Sequence, residues 1–213
     1  MLFGKPKGLP VLALRDVVVF PFETKALVVA RPQSVANLLK ADSEDKSMLL
    51  VMQQDAVQVN PTLSELHKVG TLAKILQVLR LPDNKYRVLV RGEARVSIDK
   101  VEQQDMLWLG GHTSIETEQG TTKENDVLMR LLQERFEQLS TVDSEIPSEM
   151  VKAVQGQKDP RKLSDTLAPR LCNDASELQK LLELPSAHER MQRLGGLFAT
   201  ASAEHAAARA KAE

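Results

Sequence analysis

The stretch that decides the fold is Leu-Pro-Val-Leu-Ala-Leu-Arg-Asp-Val-Val-Val-Phe-Pro, residues 9–21. An apolar run stops at the charged pair Arg15–Asp16, resumes as three valines, and ends at Phe20 and Pro21. Two β-prone runs with a polar break between them are typical of neighbouring strands in a buried sheet. Because Pro21 has no N–H to donate to a sheet ladder, the second strand is predicted to bend or end there.

The composition is that of an ordinary globular protein. Of the 213 residues, 42% are hydrophobic and 27% are charged, and 28 basic against 29 acidic side chains leave a net charge of -1. This balance gives no strong field for nucleic acid or anionic lipid. The single cysteine, Cys172, excludes an intrachain disulfide framework and fits a reducing compartment. Since no run approaches the roughly 20 apolar residues of a membrane span, we expect a cytoplasmic protein with no membrane partner.

Residues up to about 117 have the pattern of a β-sheet with one inserted helix. The helix is predicted to begin at Pro32, because proline suits the first helical position. Val69–Leu81 carries apolar residues on both parities, which indicates a strand covered on both faces. Pro82-Asp83-Asn84 is predicted to form a tight turn, and Gly92 a bulge or corner. Short strands joined by such turns predict a compact β-barrel-like unit.

The pattern changes in the polar segment 117–122, after which leucines recur at helical spacing. Helix start signals stand at Thr121–Glu124, Asp159–Pro160, Asp174–Glu177 and Ser186–Glu189. We therefore expect a β domain over residues 1–118 and a helical subdomain over 119–198. The alanine-rich residues 199–213 are predicted to form a solvated helical tail or the start of a longer helix.

A set of short segments follows a characteristic order from about Leu9 to about Phe198. The segments are Leu14-Arg15-Asp16-Val17-Val18, Phe20-Pro21, Val69-Gly70-Thr71-Leu72-Ala73, Leu81-Pro82-Asp83, Val88-Leu89-Val90-Arg91-Gly92, Ile146-Pro147 and Asp159-Pro160. Together they resemble the N-terminal domain of the Lon family of ATP-dependent proteases. The resemblance implies an α+β fold, in which a PUA-like β pseudo-barrel with one inserted helix precedes an all-α helical subdomain. It also implies that the chain recognises substrates for a Lon-type protease.

We expect a binding module without catalytic residues, metal or cofactor. The chain has no G-x-x-x-x-G-K-[ST] loop to hold a nucleotide phosphate. His188-Glu189 begins like the zinc motif H-E-x-x-H, but Gln192 stands where the second histidine is needed. A Cys172–His188 nucleophile pair lacks any sequence mark of an oxyanion loop. The chain is then either the excised N-terminal region of an ATP-dependent serine protease or a free-standing copy of that domain.

The expected partners are unfolded or degron-bearing proteins, and other Lon subunits or domains. Capture of such proteins requires an accessible apolar patch with a polar rim. Candidate substrate-binding residues lie at the strand bend and the hairpin: Phe20, Pro21, Phe22, Leu27, Leu81, Pro82 and Tyr86. A second hypothesis is structural, with self-association through the helical stripe of Met191, Leu194, Leu197 and Phe198.

An RNA-binding role is the alternative from another class of function, because PUA-like barrels of other families bind RNA. It requires a basic stripe, and the available one consists of Lys74, Arg80, Lys85, Arg87, Arg91 and Arg95. Acidic Asp83, Glu93 and Asp99 interleave with it, which is typical of a solvated sheet face. The sequence therefore disfavours nucleic acid as a partner.

Overall fold

The computed structural model describes residues 8–115 and 123–198, and the account below concerns these two ranges. The chain divides into two compact units, one over Met1–Glu116 and the other over Thr117–Glu213. We call them the β unit and the helical unit. In the described ranges, every helix is too short or too polar to cross a membrane.

The β unit is a mixed sheet that curls into a ring-like pseudo-barrel. Its described elements are β1 (Leu9–Leu14), β2 (Thr24–Val29), α1 (Pro32–Ser43), β3 (Ser47–Met52), a 3-10 turn (Leu63–Glu65), β4 (Val69–Arg80), β5 (Tyr86–Gln104) and β6 (Leu107–Ser114). The strand order is β2-β5-β4-β3-β1-β6, and β5 also pairs with β6. The long β5 thereby closes the ring, while β2 remains an edge strand.

The apolar runs of β1 and β3 are explained by burial on both faces. The two strands pair in parallel, with Val11 opposite Leu49. Leu12 and Leu14 pack into one hydrophobic cluster, whereas Val11 and Ala13 pack into a second cluster that contains Trp108. A strand that separates two cores has no wet face, so its sequence does not alternate.

The second strand predicted within residues 9–21 is wrong. Val18 and Val19 are buried but have no partner strand. Side chains, and not a neighbouring strand, donate hydrogen bonds to the carbonyls of these two valines. The Val19 carbonyl accepts from Thr71 Oγ1 at 2.6 Å, and the Val18 carbonyl accepts from Lys25 Nζ at 3.3 Å. Buried carbonyls need a partner of some kind, and a hydroxyl or an ammonium serves as well as a ladder. The three valines therefore indicated burial and not strand pairing.

The prediction that β4 is covered on both faces holds only for its first half. Ile75 is buried, but Leu76 and Leu79 beyond it are exposed. A register shift between Ile75 and Gln77 separates the two halves. The second half forms a hairpin with β5, where the inner face alone meets the core.

The predicted turn and bulge between β4 and β5 are confirmed. Asp83 and Asn84 have φ of 59° and 55°, and Leu81 N donates to Lys85 O at 2.8 Å across the turn. Asparagine and aspartate tolerate this left-handed conformation. At Gly92 the pairing with β4 shifts by one residue, which is the expected bulge.

The helical unit consists of α2 (Lys123–Val142), α3 (Ser148–Gln155), α4 (Pro160–Leu171), α5 (Ala175–Glu183) and a further helix, α6, over residues 187–198. Three predicted start signals act as caps. Asp159 accepts from Arg161 N at 2.9 Å, Asp174 from Glu177 N at 2.7 Å, and the Ser186 hydroxyl from Glu189 N at 3.4 Å. The cap predicted at Thr121–Thr122 and the tail predicted over 199–213 lie outside the described residues. The α+β fold class, a pseudo-barrel with one inserted helix followed by a helical part, is confirmed.

Candidate functional site

The chain leaves the buried valines through a tight turn formed by residues 20–23. Glu23 N donates to Phe20 O at 3.2 Å, so Pro21 and Phe22 are the two central residues. Phe22 has φ of 68°, a left-handed conformation that a β-turn normally assigns to glycine or asparagine. A bulky residue in this conformation costs roughly 1–3 kcal/mol. The turn therefore holds a phenyl side chain at a position where the backbone disfavours one.

Backbone contacts with β5 hold this conformation in place. Phe22 N donates to Gly92 O at 2.9 Å, and Gly92 N donates to Glu23 O at 2.9 Å. The approach is so close that a Cβ at position 92 would overlap the Phe20 carbonyl oxygen. The backbone of Gly92 thus packs directly against the turn and hydrogen-bonds to it.

Charged side chains complete the frame of the turn. Glu23 Oε2 accepts from Phe20 N at 2.9 Å, and Glu23 Oε1 lies 3.1 Å from Lys25 Nζ. The same ammonium group donates to the Val18 carbonyl. Within this polar frame the Phe22 residue remains 49% exposed. An exposed aromatic ring is therefore presented by a rigidly braced loop.

Three candidates from the same segment have a different role. Phe20, Pro21 and Leu27 are buried, and Leu27 belongs to the first hydrophobic cluster. Their prediction as surface contact residues is corrected, because their side chains fill the core beneath the turn. Only Phe22 of this group is available to a partner.

The hairpin candidates lie at the other end of β2. Thr24, next to the turn, pairs with Arg91, whereas Val29 pairs with Tyr86. Pro82 is exposed and Leu81 half-buried, while Tyr86 packs partly against the first hydrophobic cluster. The predicted residues therefore form two separate groups, and the structure does not bring them into one site.

Two further apolar residues on the hairpin were missed by the sequence reasoning. Val28 of β2 and Leu79 of β4 both pair with Arg87 of β5, so they flank it on the outer face. They are 68% and 52% exposed. The run Ala26–Val29 is apolar at every position and gave no sign of which residues point outward. We call Val28, Leu79, Leu81 and Pro82 the hairpin surface.

Comparison with known proteins assigns the family. Residues 8–199 match the family described as ATP-dependent protease La (LON) substrate-binding domain. The chain belongs to this family. It is 41% identical over 190 residues to the Lon protease of Xanthomonas oryzae, covering 89% of this chain and 22% of that protein. It is 34% identical over 186 residues to the Lon protease of Escherichia coli, covering 87% and 24%.

Solved structures of Lon N-terminal domains share the fold. The N-terminal domain of Mycobacterium avium complex Lon protease superposes with a TM-score of 0.74 at 23% identity, over 91% of this chain and 98% of that one. The Lon N-terminal domain protein of Xanthomonas campestris gives 0.62 at 17% identity, over 88% and 96%. The chain thus spans the N-terminal domain and about a quarter of the length of the curated relatives it matches.

The stripe of this Lon domain that was predicted to mediate assembly is largely buried, as Phe20 is. Met191, Leu194 and Phe198 are buried in the described helical unit, and Leu197 is half-buried. Met191, Leu194 and Phe198 therefore pack within the core of their own unit, and only Leu197 of the stripe keeps part of its side chain accessible.

His188 and Cys172, which were considered for catalysis and metal binding on the sequence alone, each lie within hydrogen-bond distance of another residue. His188 Nδ1 lies 2.7 Å from Asn125 Oδ1, and Cys172 Sγ lies 3.6 Å from the Asp174 carbonyl oxygen. Among the residues that the structure describes, no cluster of three histidine, cysteine or acidic side chains could hold a metal ion. The basic stripe is also shorter than the sequence suggests, because Arg95 is buried.

Proposed function

We propose that this Lon domain binds exposed apolar segments of unfolded or degron-bearing proteins, through Phe22 and through the hairpin surface. The observation that carries the proposal is the left-handed conformation of the exposed Phe22. Strained residues persist where the surrounding structure over-determines them, and they cluster at ligand-binding sites. An apolar ring in this position costs stability, and binding to a partner is a physical reason for its presence.

The same two groups are suited to weak and reversible capture. Covering the exposed half of a phenylalanine contributes on the order of 1 kcal/mol. The register from Thr24 to Val29 separates the turn from the hairpin by five strand steps, about 17 Å. An extended segment of six or more residues can therefore reach both groups, and two weak contacts together give useful avidity.

The wider setting is part of the proposal. We infer that the domain works in the cytoplasm as the substrate-recognition region of an ATP-dependent protease, with other subunits or domains of that protease as its second class of partner. Family membership and the relatives' greater length support this inference. Bond chemistry is assigned to those other domains.

The test is capture of a chemically unfolded, fluorescently labelled protein by the intact chain and by Phe22→Asn. Asparagine accepts the left-handed conformation, so the variant should fold as the wild type does. Loss of the ring should weaken capture about three-fold to ten-fold. The matched control is Val57→Asn, which removes an exposed apolar side chain from another loop of the β unit.

A second variant, Leu79→Thr, tests the hairpin surface in the same assay. Threonine keeps the β-propensity of the exposed strand position and removes most of the apolar area. We expect a loss similar to that of Phe22→Asn, and a larger one in the double variant. Equal capture by wild type, Phe22→Asn and Leu79→Thr would refute the proposed site.

A further inference from the structure

A cleft of about 230 Å³ lies beside the first turn of α1, on a surface separate from the Phe22 turn. Its walls include the first helical residues, Pro32 to Ser34, and Trp108 of β6. The N-cap residue Arg31 makes no side-chain hydrogen bond to this turn, and Pro32 has no N–H. The amides of Gln33 and Ser34 have no acceptor in residues 8–115 and 123–198. Free amides at a helix N-terminus attract negative charge.

Two largely buried polar side chains, Ser34 and Trp108, lie on the cleft wall. Ser34 is 8% exposed and Trp108 is 4% exposed. Within the described residues, the Trp108 indole Nε1–H is buried without a hydrogen-bond partner, whereas the Ser34 hydroxyl makes no hydrogen bond but keeps some contact with solvent. Buried polar groups are almost always paired, so each exception requires an explanation. The indole N–H can only donate, so the partner that it lacks is an acceptor, and the neighbouring Ser34 hydroxyl can donate to the same group.

The positive charge of Arg31, which lines the cleft, also favours an anion. Arg31 donates to the Ala13 carbonyl at 2.5 Å and to Gln53 Oε1 at 2.9 Å. All its partners among the described residues are neutral oxygens, and none is a carboxylate. Burial and the neighbouring Arg15 lower the pKa of the Arg31 guanidinium. A cation that is partly removed from water, with no counter-ion, is an unusual arrangement unless an anion is supplied.

The rest of the lining limits what the anion can be. Among the described residues that line the cleft, Arg31 is the only charged one, and Val11, Pro61 and Met106 supply apolar surface. One positive charge and several neutral donors suit a monoanion, and apolar walls suit a carbon chain attached to it. Asp16 lies on the neighbouring groove, where Arg15 accompanies it.

We propose that this cleft binds a carboxylate group of a polypeptide ligand, with the amides of Gln33 and Ser34, the Ser34 hydroxyl and the Arg31 guanidinium as its donors. The indole N–H of Trp108 is the further donor at its edge. The C-terminal carboxylate of an extended peptide is the ligand, and the side chain of an aspartate is the other source of the same chemistry. The proposal goes beyond capture through Phe22 and does not depend on it.

The single tryptophan of the chain makes the site directly observable. The intact protein is titrated with acetyl-Gly-Leu-Ala as the free acid and as the amide, with acetyl-Gly-Asp-Ala amide, and with inorganic phosphate. Trp108 fluorescence and its one indole N–H signal in a nitrogen–proton NMR spectrum report binding. We expect a saturable shift with the free acid and none with the simple amide.

The probes separate the outcomes. A shift with both the free acid and the aspartyl amide supports a carboxylate site and identifies either source as sufficient. A shift with phosphate alone, or with no probe at all, overturns the proposal. None of these titrations uses an unfolded protein. If no peptide binds in the cleft, the proposed function of the Phe22 turn is unaffected. If the Phe22 and Leu79 variants capture unfolded protein as the wild type does, the carboxylate site is unaffected.

A matched pair of serine variants ties the signal to the site. Ser34→Ala removes one donor and should weaken binding of the free acid about ten-fold. Ser43→Ala, at the other end of α1, removes a hydroxyl that bonds the Lys40 carbonyl and should leave binding unchanged. Arg15→Gln should weaken binding less and reduce its salt dependence. Identical affinities for Ser34→Ala and Ser43→Ala would exclude the site.

Discussion

At the scale of single residues, Gly92 and Phe22 depend on each other. The turn can carry a phenylalanine at φ of 68° because two backbone hydrogen bonds join it to residue 92. Those bonds form only where the β5 backbone comes close enough that a side chain has no room. Thr71 has a related role, since its hydroxyl satisfies the buried Val19 carbonyl in place of a strand.

The first residue-scale prediction is that Gly92→Ala destabilises the β unit by about 2–4 kcal/mol. The added methyl group would overlap the Phe20 carbonyl oxygen, and backbone on both sides leaves little room to relax. The measurement is urea denaturation followed by Trp108 fluorescence. Gly111→Ala is the matched control, because its Cβ would lie 3.8 Å from the nearest atom, the Lys100 carbonyl oxygen. If both variants unfold at the wild-type urea concentration, the close approach at Gly92 is not a constraint.

At the scale of elements, caps and turns are determined by a few neighbouring residues, and these residues can be identified in the sequence. The β4–β5 hairpin has residues that accept positive φ at its tip, and α4 begins with Asp159 followed by proline. Asp159 also forms an ion pair with Arg161, with Oδ2 and Nη2 2.8 Å apart. Hydrogen bonds from the Arg161 side chain hold the pKa of Asp159 below its usual value of 3.8.

The element-scale prediction concerns pH. A carboxyl whose pKa is lowered on folding stabilises the native state above its usual value, and this contribution is lost as the pH falls through the lowered pKa. Asp159→Asn keeps a capping oxygen but has no charge to titrate. The wild type should therefore be the more stable protein at pH 7, with the difference shrinking as the pH falls below the usual value of 3.8 and through the lowered pKa. Urea denaturation followed by circular dichroism at pH 7, 5 and 3 measures it. A difference that does not change with pH would contradict the assignment.

At the scale of the whole molecule, each unit has its own core. The core of the helical unit contains an ion pair, in which Arg190 Nε lies 3.2 Å from Asp165 Oδ1 and both side chains are fully buried. Arg190 also donates to the Leu184 carbonyl at 2.8 Å. Such pairs contribute little net stability, but loss of one partner leaves a buried charge uncompensated.

The whole-molecule prediction is that Arg190→Met destabilises the helical unit by about 3–5 kcal/mol. Circular dichroism at 222 nm reports mainly on the helices, whereas Trp108 fluorescence reports on the β unit. We expect the transition measured by circular dichroism to move to lower urea and the fluorescence transition to move less. The double variant Asp165→Leu/Arg190→Met should recover most of the loss, because it removes both charges. No recovery would show that the ion pair is not the cause.

The sequence by itself determined the types of most elements, the hairpin turn, the bulge at Gly92, three helix caps and the family. These features depend on spacing of two to four residues and on the conformational preferences of proline, glycine and asparagine, which act locally. Only the tertiary structure decided which apolar residues are available to a partner. Phe20 and Phe22 stand two positions apart in one motif, yet the turn at Pro21 buries the first and exposes the second. Burial is a property of what packs against a residue, and for Val28 and Leu79, as for the cleft beside Trp108, those neighbours come from distant parts of the chain.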